Sequence, residues 1–150
     1  MNKAIQILLV EDNPGDAQLT KEVFAECRVT NTLDIVEDGE AAIEFLKKSG
    51  KYADVKTPDL ILLDLNLPKK TGREVLEEIK KDPELQSIPV VVLTTSQAEA
   101  DILKSYKLNA NCYINKPVDF DQFAHVVKVI EDFWLTVVKL PTKTSNYGKD

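Results

Sequence analysis

Five side chains in this sequence could do chemistry together if folding gathered them: Glu11, Asp12, Asp64, Thr94 and Lys116. Each follows a short apolar run. The acid pair comes after Ile5–Val10, Asp64 after residues 60–63, Thr94-Thr95 after residues 90–93, and Lys116 just beyond residues 112–114. In open α/β sheets ligands bind beyond the carboxyl ends of the strands, so residues that follow such runs share one edge. Three carboxylates converging there repel one another unless a cation neutralises them. A hard, oxygen-seeking ion such as Mg²⁺, held by a few carboxylates and otherwise by water and phosphate, fits that need. Lys116 adds a point charge suited to a phosphoryl oxygen, and the Thr94 hydroxyl can donate to another. Acids at strand ends also serve simply as helix caps. That explains any one of these residues, but poorly explains five at the ends of four runs.

The elements that must position them alternate between two hydrophobic periods. Runs at 5–10, 33–36, 60–63, 90–93 and 112–114 are rich in Val, Ile and Leu, the pattern of parallel strands covered on both faces. Between them the spacing predicts helices at about 17–27, 40–48, 71–81, 98–107 and 120–135. Asn13-Pro14-Gly15 and Asp38-Gly39 read as turns, Asp119 as a helix N-cap, and Asp82-Pro83 as a helix stop. Five alternating β–α units give an α/β fold, a doubly wound parallel sheet with right-handed crossovers. Residues 48–57 read as a polar loop, residues 1–139 as one domain, and residues 140–150 as a flexible tail.

Composition narrows the function classes. The chain has 150 residues, 43% hydrophobic and 29% charged, close to globular averages. A net charge of −6 disfavours direct nucleic-acid binding, which needs a clustered basic face. No apolar run approaches the roughly 20 residues of a membrane span, and the short start Met1-Asn2-Lys3 has no signal-peptide pattern, so a cytoplasmic protein is expected. Cys27 and Cys112 then read as reduced core residues, Cys27 on the apolar stripe of the first helix with Thr20, Val23 and Phe24. The single histidine, His125, falls on a polar helix arc and cannot build a zinc site with cysteines so far apart. Lys69-Lys70 reads as a solvated pair beside the site that could steer a phosphorylated partner.

The chain resembles the receiver domain of two-component response regulators over about residues 5–135. The likeness rests on Glu11-Asp12, the run Leu60-Ile61-Leu62-Leu63-Asp64-Leu65-Asn66-Leu67-Pro68 with Gly72, Thr94, and Lys116-Pro117. The resemblance implies strand order 2-1-3-4-5, the flavodoxin-like order of the chemotaxis receiver. It implies that Asp64 accepts a phosphoryl group from a phosphohistidine on a sensor histidine kinase. Glu11, Asp12, Asp64 and the main-chain oxygen of Asn66 would hold Mg²⁺. Thr94 and Lys116 would bind phosphoryl oxygens, Tyr113 would be the aromatic that switches with Thr94, and the Lys116–Pro117 bond would be cis. The expected role is a phosphoacceptor signalling protein rather than an enzyme, assisting its own phosphorylation and dephosphorylation. A phosphorelay intermediate is the alternative. The chain departs from the pattern at Glu11, where many receivers carry Asp, and at the polar insertion 48–57, which lies away from the site.

A narrower likeness is visible in Leu65-Asn66-Leu67-Pro68-Lys69-Lys70, Thr94-Thr95-Ser96 and Phe133-Trp134-Leu135 followed by Leu140-Pro141. These look like small stand-alone regulators that partner bacterial phytochromes. No output domain is expected after the last helix, so the signal would travel by protein contact. At about 100° per residue, Phe120, Phe123, Ala124, Val127, Ile130 and Trp134 share one arc of that helix, and Val126, Val129 and Phe133 widen it to about 220°. One sheet cannot cover so wide an arc. Receivers commonly dimerise through their last strand and last two helices, so Val126, Val129 and Phe133 are expected at a homodimer interface, the alternative being that residues 136–140 fold back and cover them within one chain. Other readings fare worse. A haloacid-dehalogenase-type phosphatase needs a second Asp two residues after its nucleophile, where this chain has Asn66. A flavodoxin needs a Ser/Thr/Gly phosphate loop where this chain has Glu11-Asp12. A degenerate receiver would not keep the full set of acids, threonine and lysine.

Overall fold

The computed structural model describes residues 4–26 and 30–94, the backbone of Cys112–Asn115, and Lys128. Five parallel strands form one sheet: β1 (Ile5–Val10), β2 (Asn31–Val36), β3 (Leu60–Asp64), β4 (Val90–Thr94) and β5 (Cys112–Asn115). Their order is β2-β1-β3-β4-β5, as the resemblance implies. Three helices are described: α1 (Pro14–Ala25), α2 (Gly39–Leu46) and α3 (Gly72–Lys81).

Strand periodicity sorts the core into two layers. Ile7 and Leu9 of β1 pack with Leu60 and Leu62 of β3, Val91 and Leu93 of β4, and Ala17, Val23 and Phe24 of α1. Their neighbours Leu8, Val10, Ile61, Leu63, Val90 and Val92 face the opposite way, onto Phe45 of α2 and Val75, Leu76 and Ile79 of α3. Side chains at i and i+2 share a face, so strands that are apolar throughout need a helix on each side. That is the doubly wound arrangement.

β2 breaks this pattern because it is an edge strand that pairs with β1 alone. Thr32, Asp34 and Ile35 are exposed, Ile35 at 40%, so the expectation of two covered faces fails here. A charge on an edge strand discourages pairing with other chains, which fits Asp34. The strand also starts two residues before its apolar run. Asn31 pairs with Ile5, and its side-chain amide donates to the Phe24 carbonyl at 2.9 Å, closing the end of α1.

Helix starts follow local chemistry closely. Asn13-Pro14-Gly15, expected as a turn, is the cap and first turn of α1. The Asn13 side-chain oxygen accepts from Asp16 N–H at 2.9 Å, and Pro14 takes the first helical position, where its missing N–H costs nothing. Asn13→Ala should therefore cost about 1 kcal/mol. Urea unfolding would show a lower midpoint with an unchanged slope; a shifted slope would mean a change in the unfolded ensemble instead. Thr71 caps α3 in a reciprocal box: Glu74 N–H donates to Thr71 Oγ1 at 3.2 Å, and Thr71 N–H donates to Glu74 Oε1 at 2.9 Å. Those bonds from Thr71, main chain first and then side chain, hold the Glu74 carboxyl below its ordinary range. α3 ends at Lys81, and Asp82 before Pro83 turns extended, as expected.

Residues 48–57 are less polar in role than in sequence. Lys48 adopts a left-handed φ of 57° after α2, and a 3-10 turn follows at Gly50–Tyr52. The Tyr52 ring centre then lies 5.2 Å from that of Phe45, and Val55 joins the same cluster. The insertion thus adds a lid to the α2 layer, far from the strand ends that carry the acids.

Candidate functional site

The ladder register brings the acids together. Val10 pairs with Leu63, so Glu11 and Asp64 each come one residue past that pair at the carboxyl edge. Asp64 pairs with Leu93, which sets Thr94 one step beyond it on β4. One carboxylate oxygen from each of Glu11, Asp12 and Asp64 lies within 4.8 Å of the others. Glu11 and Asp64 are almost fully buried, at 1% and 2% exposure, and Thr94 is at 0%. Asp12 is exposed and stands at the mouth of the cluster.

Main-chain groups orient these carboxylates. Asn66 N–H donates to Asp64 Oδ1 at 2.9 Å, and Asn13 N–H donates to Glu11 Oε2 at 3.2 Å. The sequence Leu65-Asn66-Leu67-Pro68 explains the placement of Asn66. Leu65 and Leu67 are anchored in the core, which leaves Asn66 on the exposed side of the loop. Gly72 fixes the other end. Its N–H donates to the Leu65 carbonyl at 3.1 Å, and a Cβ there would lie 2.5 Å from the Asp64 carbonyl oxygen. Only glycine permits so close an approach.

The chemistry of the donor set fits a hard divalent cation. Two carboxylate oxygens within 4.8 Å of each other repel by roughly 3 kcal/mol or more at an effective dielectric near 20, a large fraction of a domain's net stability. All ligands offered here are oxygens, the preference of Mg²⁺ and its neighbours. Glu11, Asp12 and Asp64 thus meet at one edge, with Asn66 in the loop just after Asp64 and Thr94 on the adjoining strand. Tyr113 belongs to β5, whose backbone pairs it with Val92. Lys116 and Pro117, with the cis bond expected between them, lie outside the described residues. So do Cys27, His125 and the residues expected at a dimer interface, Val126, Val129 and Phe133.

The lysine pair is solvated at Lys69, as read from the sequence, and less so at Lys70. Lys70 hydrogen-bonds Glu78 of α3, and that bond holds its ammonium above the ordinary lysine range. Lys69, 61% exposed, lies 3.6 Å from Asp38, the residue that caps α2. Both lysines thus hold the loop between β3 and α3 to neighbouring elements. Sequence reasoning gave Asp38-Gly39 only the part of a turn and no part in the site.

A parallel sheet of this order, with three acids and a threonine at its carboxyl edge, is the architecture of a signalling receiver domain. The chain belongs to the response regulator receiver domain family, which matches residues 7–128. It is 51% identical over 135 residues to response regulator Rcp1 of Synechocystis, covering 90% of this chain and 92% of that protein. The crystal structure of the phosphorylated cyanobacterial phytochrome response regulator RcpA superposes with a TM-score of 0.81 at 51% identity, covering 93% of this chain and all of that one, or 100%. The Mn²⁺-bound form of Rcp1 gives a TM-score of 0.78 at 50% identity, over 92% and 99% of the two chains. Among the described residues no helix is long and apolar enough to cross a membrane.

Proposed function

We propose that this receiver domain takes a phosphoryl group from a sensor histidine kinase onto Asp64, with Mg²⁺ held by Glu11, Asp12, Asp64 and the main-chain oxygen of Asn66. The observation that carries this reading is the gathering of three carboxylates, two of them buried, within 4.8 Å at the edge where Asp64 ends β3. An Asp64 carboxylate oxygen attacks phosphorus in line. The new P–O bond forms as the P–N bond of the phosphohistidine breaks, and the imidazole leaves with the electron pair. The Asn66 N–H holds the plane of the Asp64 carboxylate, so the nucleophile meets phosphorus without a search over rotamers. The bound cation supplies neutralisation of the phosphoryl and carboxylate charge. Thr94 donates its hydroxyl to a phosphoryl oxygen, Lys116 gives its ammonium to another, and Tyr113 responds to the change at Thr94. The regulator then acts through protein contacts, as a homodimer using Val126, Val129 and Phe133.

Likeness to a cyanobacterial phytochrome response regulator makes a phytochrome-type kinase the donor to test first. The test is phosphotransfer from such a kinase, with acetyl phosphate as a small-molecule donor in parallel. Mass spectrometry should find one added phosphoryl group in Mg²⁺ and little or none in excess EDTA. Equal labelling with and without chelator would overturn the metal-dependent reading.

A further inference from the structure

We propose that Gly39, the first residue of α2, is a positioning residue for Asp64, acting through the loop between β3 and α3. The claim rests on the assignment of Asp64 as acceptor and extends the machinery to an element that donates no ligand. Gly39 is buried against this loop so closely that a Cβ would lie 1.9 Å from the Lys70 carbonyl oxygen and 2.6 Å from its carbon. Real Cβ atoms do not approach main chain at such distances, so any side chain here must displace the loop or the helix. The helix is held by its own cap, Ala41 N–H to Asp38 Oδ1 at 2.7 Å, and by Ala42, Phe45 and Leu46 in the core. The outer part of the loop, where Pro68, Lys69 and Thr71 are exposed, is therefore the part that gives way.

Three further features join the same two elements. Gly39 N–H points to the Pro68 carbonyl at 3.5 Å, Asp38 Oδ2 lies 3.6 Å from Lys69 Nζ, and Lys69 itself turns through a left-handed φ of 67°. A non-glycine residue holds that conformation only where its surroundings impose it. The loop is thus pinned at Lys70 by Gly39 and at Leu65 by Gly72. Asn66, whose N–H orients Asp64 and whose carbonyl is offered to the cation, sits between these pins. Moving Lys70 outward loosens the segment that sets the acceptor.

The test compares wild type with Gly39→Ala and with Lys69→Val. The second variant places a β-branched residue at the left-handed position and disturbs the loop from its exposed side, without touching the α2 core. Two readouts are taken: hydrogen exchange of residues 65–71 in metal-free protein, and the acetyl phosphate labelling rate per folded molecule. Both variants should exchange about tenfold faster in that segment and label about tenfold more slowly, with strands β1 and β3 as protected as in wild type. If Gly39→Ala does not fold, Lys69→Val alone decides whether loop shape governs the acceptor. Wild-type exchange and labelling in both variants would overturn the proposal, as would a uniform rise in exchange with an unchanged rate per folded molecule. Should wild type itself take no label, the Asp64 assignment fails. The exchange arm then decides by itself whether Gly39 holds the loop.

Discussion

Asp64→Asn should leave a folded protein that takes no phosphoryl group from acetyl phosphate or from a kinase. Asparagine keeps the size of the side chain and its oxygen, so the bond from Asn66 N–H, 2.9 Å to Asp64 Oδ1, can persist and the strand end need not move. What is lost is the carboxylate nucleophile, and an amide oxygen is far too weak to replace it at neutral pH. The expected drop is at least about 10²-fold, down to the background of other carboxylates, because removing the group that forms the bond leaves no route through the site. Asp12→Ala should behave differently. It removes an exposed ligand at the mouth of the cluster, so labelling should weaken and recover in part as Mg²⁺ is raised. Intact-mass measurement over a time course distinguishes the two. Full labelling of Asp64→Asn under native conditions would exclude Asp64 as acceptor.

The second large effect concerns stability, and its sign should reverse with metal. Without a divalent cation, Glu11, Asp12 and Asp64 hold like charges within 4.8 Å, two of the three screened from water by burial. Glu11→Gln removes one of those charges while keeping an oxygen that can accept from Asn13 N–H. In EDTA this variant should be more stable than wild type by about 2 kcal/mol, or about 5 °C in Tm for a chain of this size. With Mg²⁺ at about a hundred times its Kd, wild type gains about 2.7 kcal/mol by linkage, and the variant, short of a ligand charge, gains much less. The order of the two melting curves should therefore invert between EDTA and Mg²⁺. A variant no more stable than wild type in EDTA would show that the cluster is not strained by its own charge, and an order left unchanged by Mg²⁺ would show that Glu11 does not help to hold the cation.

The strands and the gathering of acids at their carboxyl edge were legible because both depend on short-range rules. A run such as Ile61-Leu62-Leu63 can be buried on two faces only as an inner parallel strand, and the residue after it must emerge at the carboxyl edge. That reasoning places Asp64 and Thr94 without knowledge of the loops. It misjudges β2, because an edge strand needs only part of its surface apolar, so Asn31-Thr32 pair as strand despite their polarity. It also misjudges Asn13-Pro14-Gly15, since the same three residues suit a turn and a capped first helical turn. The geometry that shapes the site, Gly39 against Lys70 and Gly72 against Asp64, was not legible. A glycine required by close packing looks in sequence like one required by a turn. Lys69 and Lys70 show the same limit, because a charge run states no partner until the neighbouring Asp38 and Glu78 are placed.

The most direct measurement is to locate the phosphoryl group itself. Protein phosphorylated by a histidine kinase in Mg²⁺ is treated with borohydride, which reduces an aspartyl acyl phosphate to homoserine. The peptide spanning β3 and the loop that follows is then sequenced by mass spectrometry. Homoserine at position 64, absent from a sample prepared in EDTA, is the predicted result. Homoserine at position 12 or elsewhere, or a stable phosphate on a hydroxyl or imidazole with residue 64 unchanged, would contradict the account.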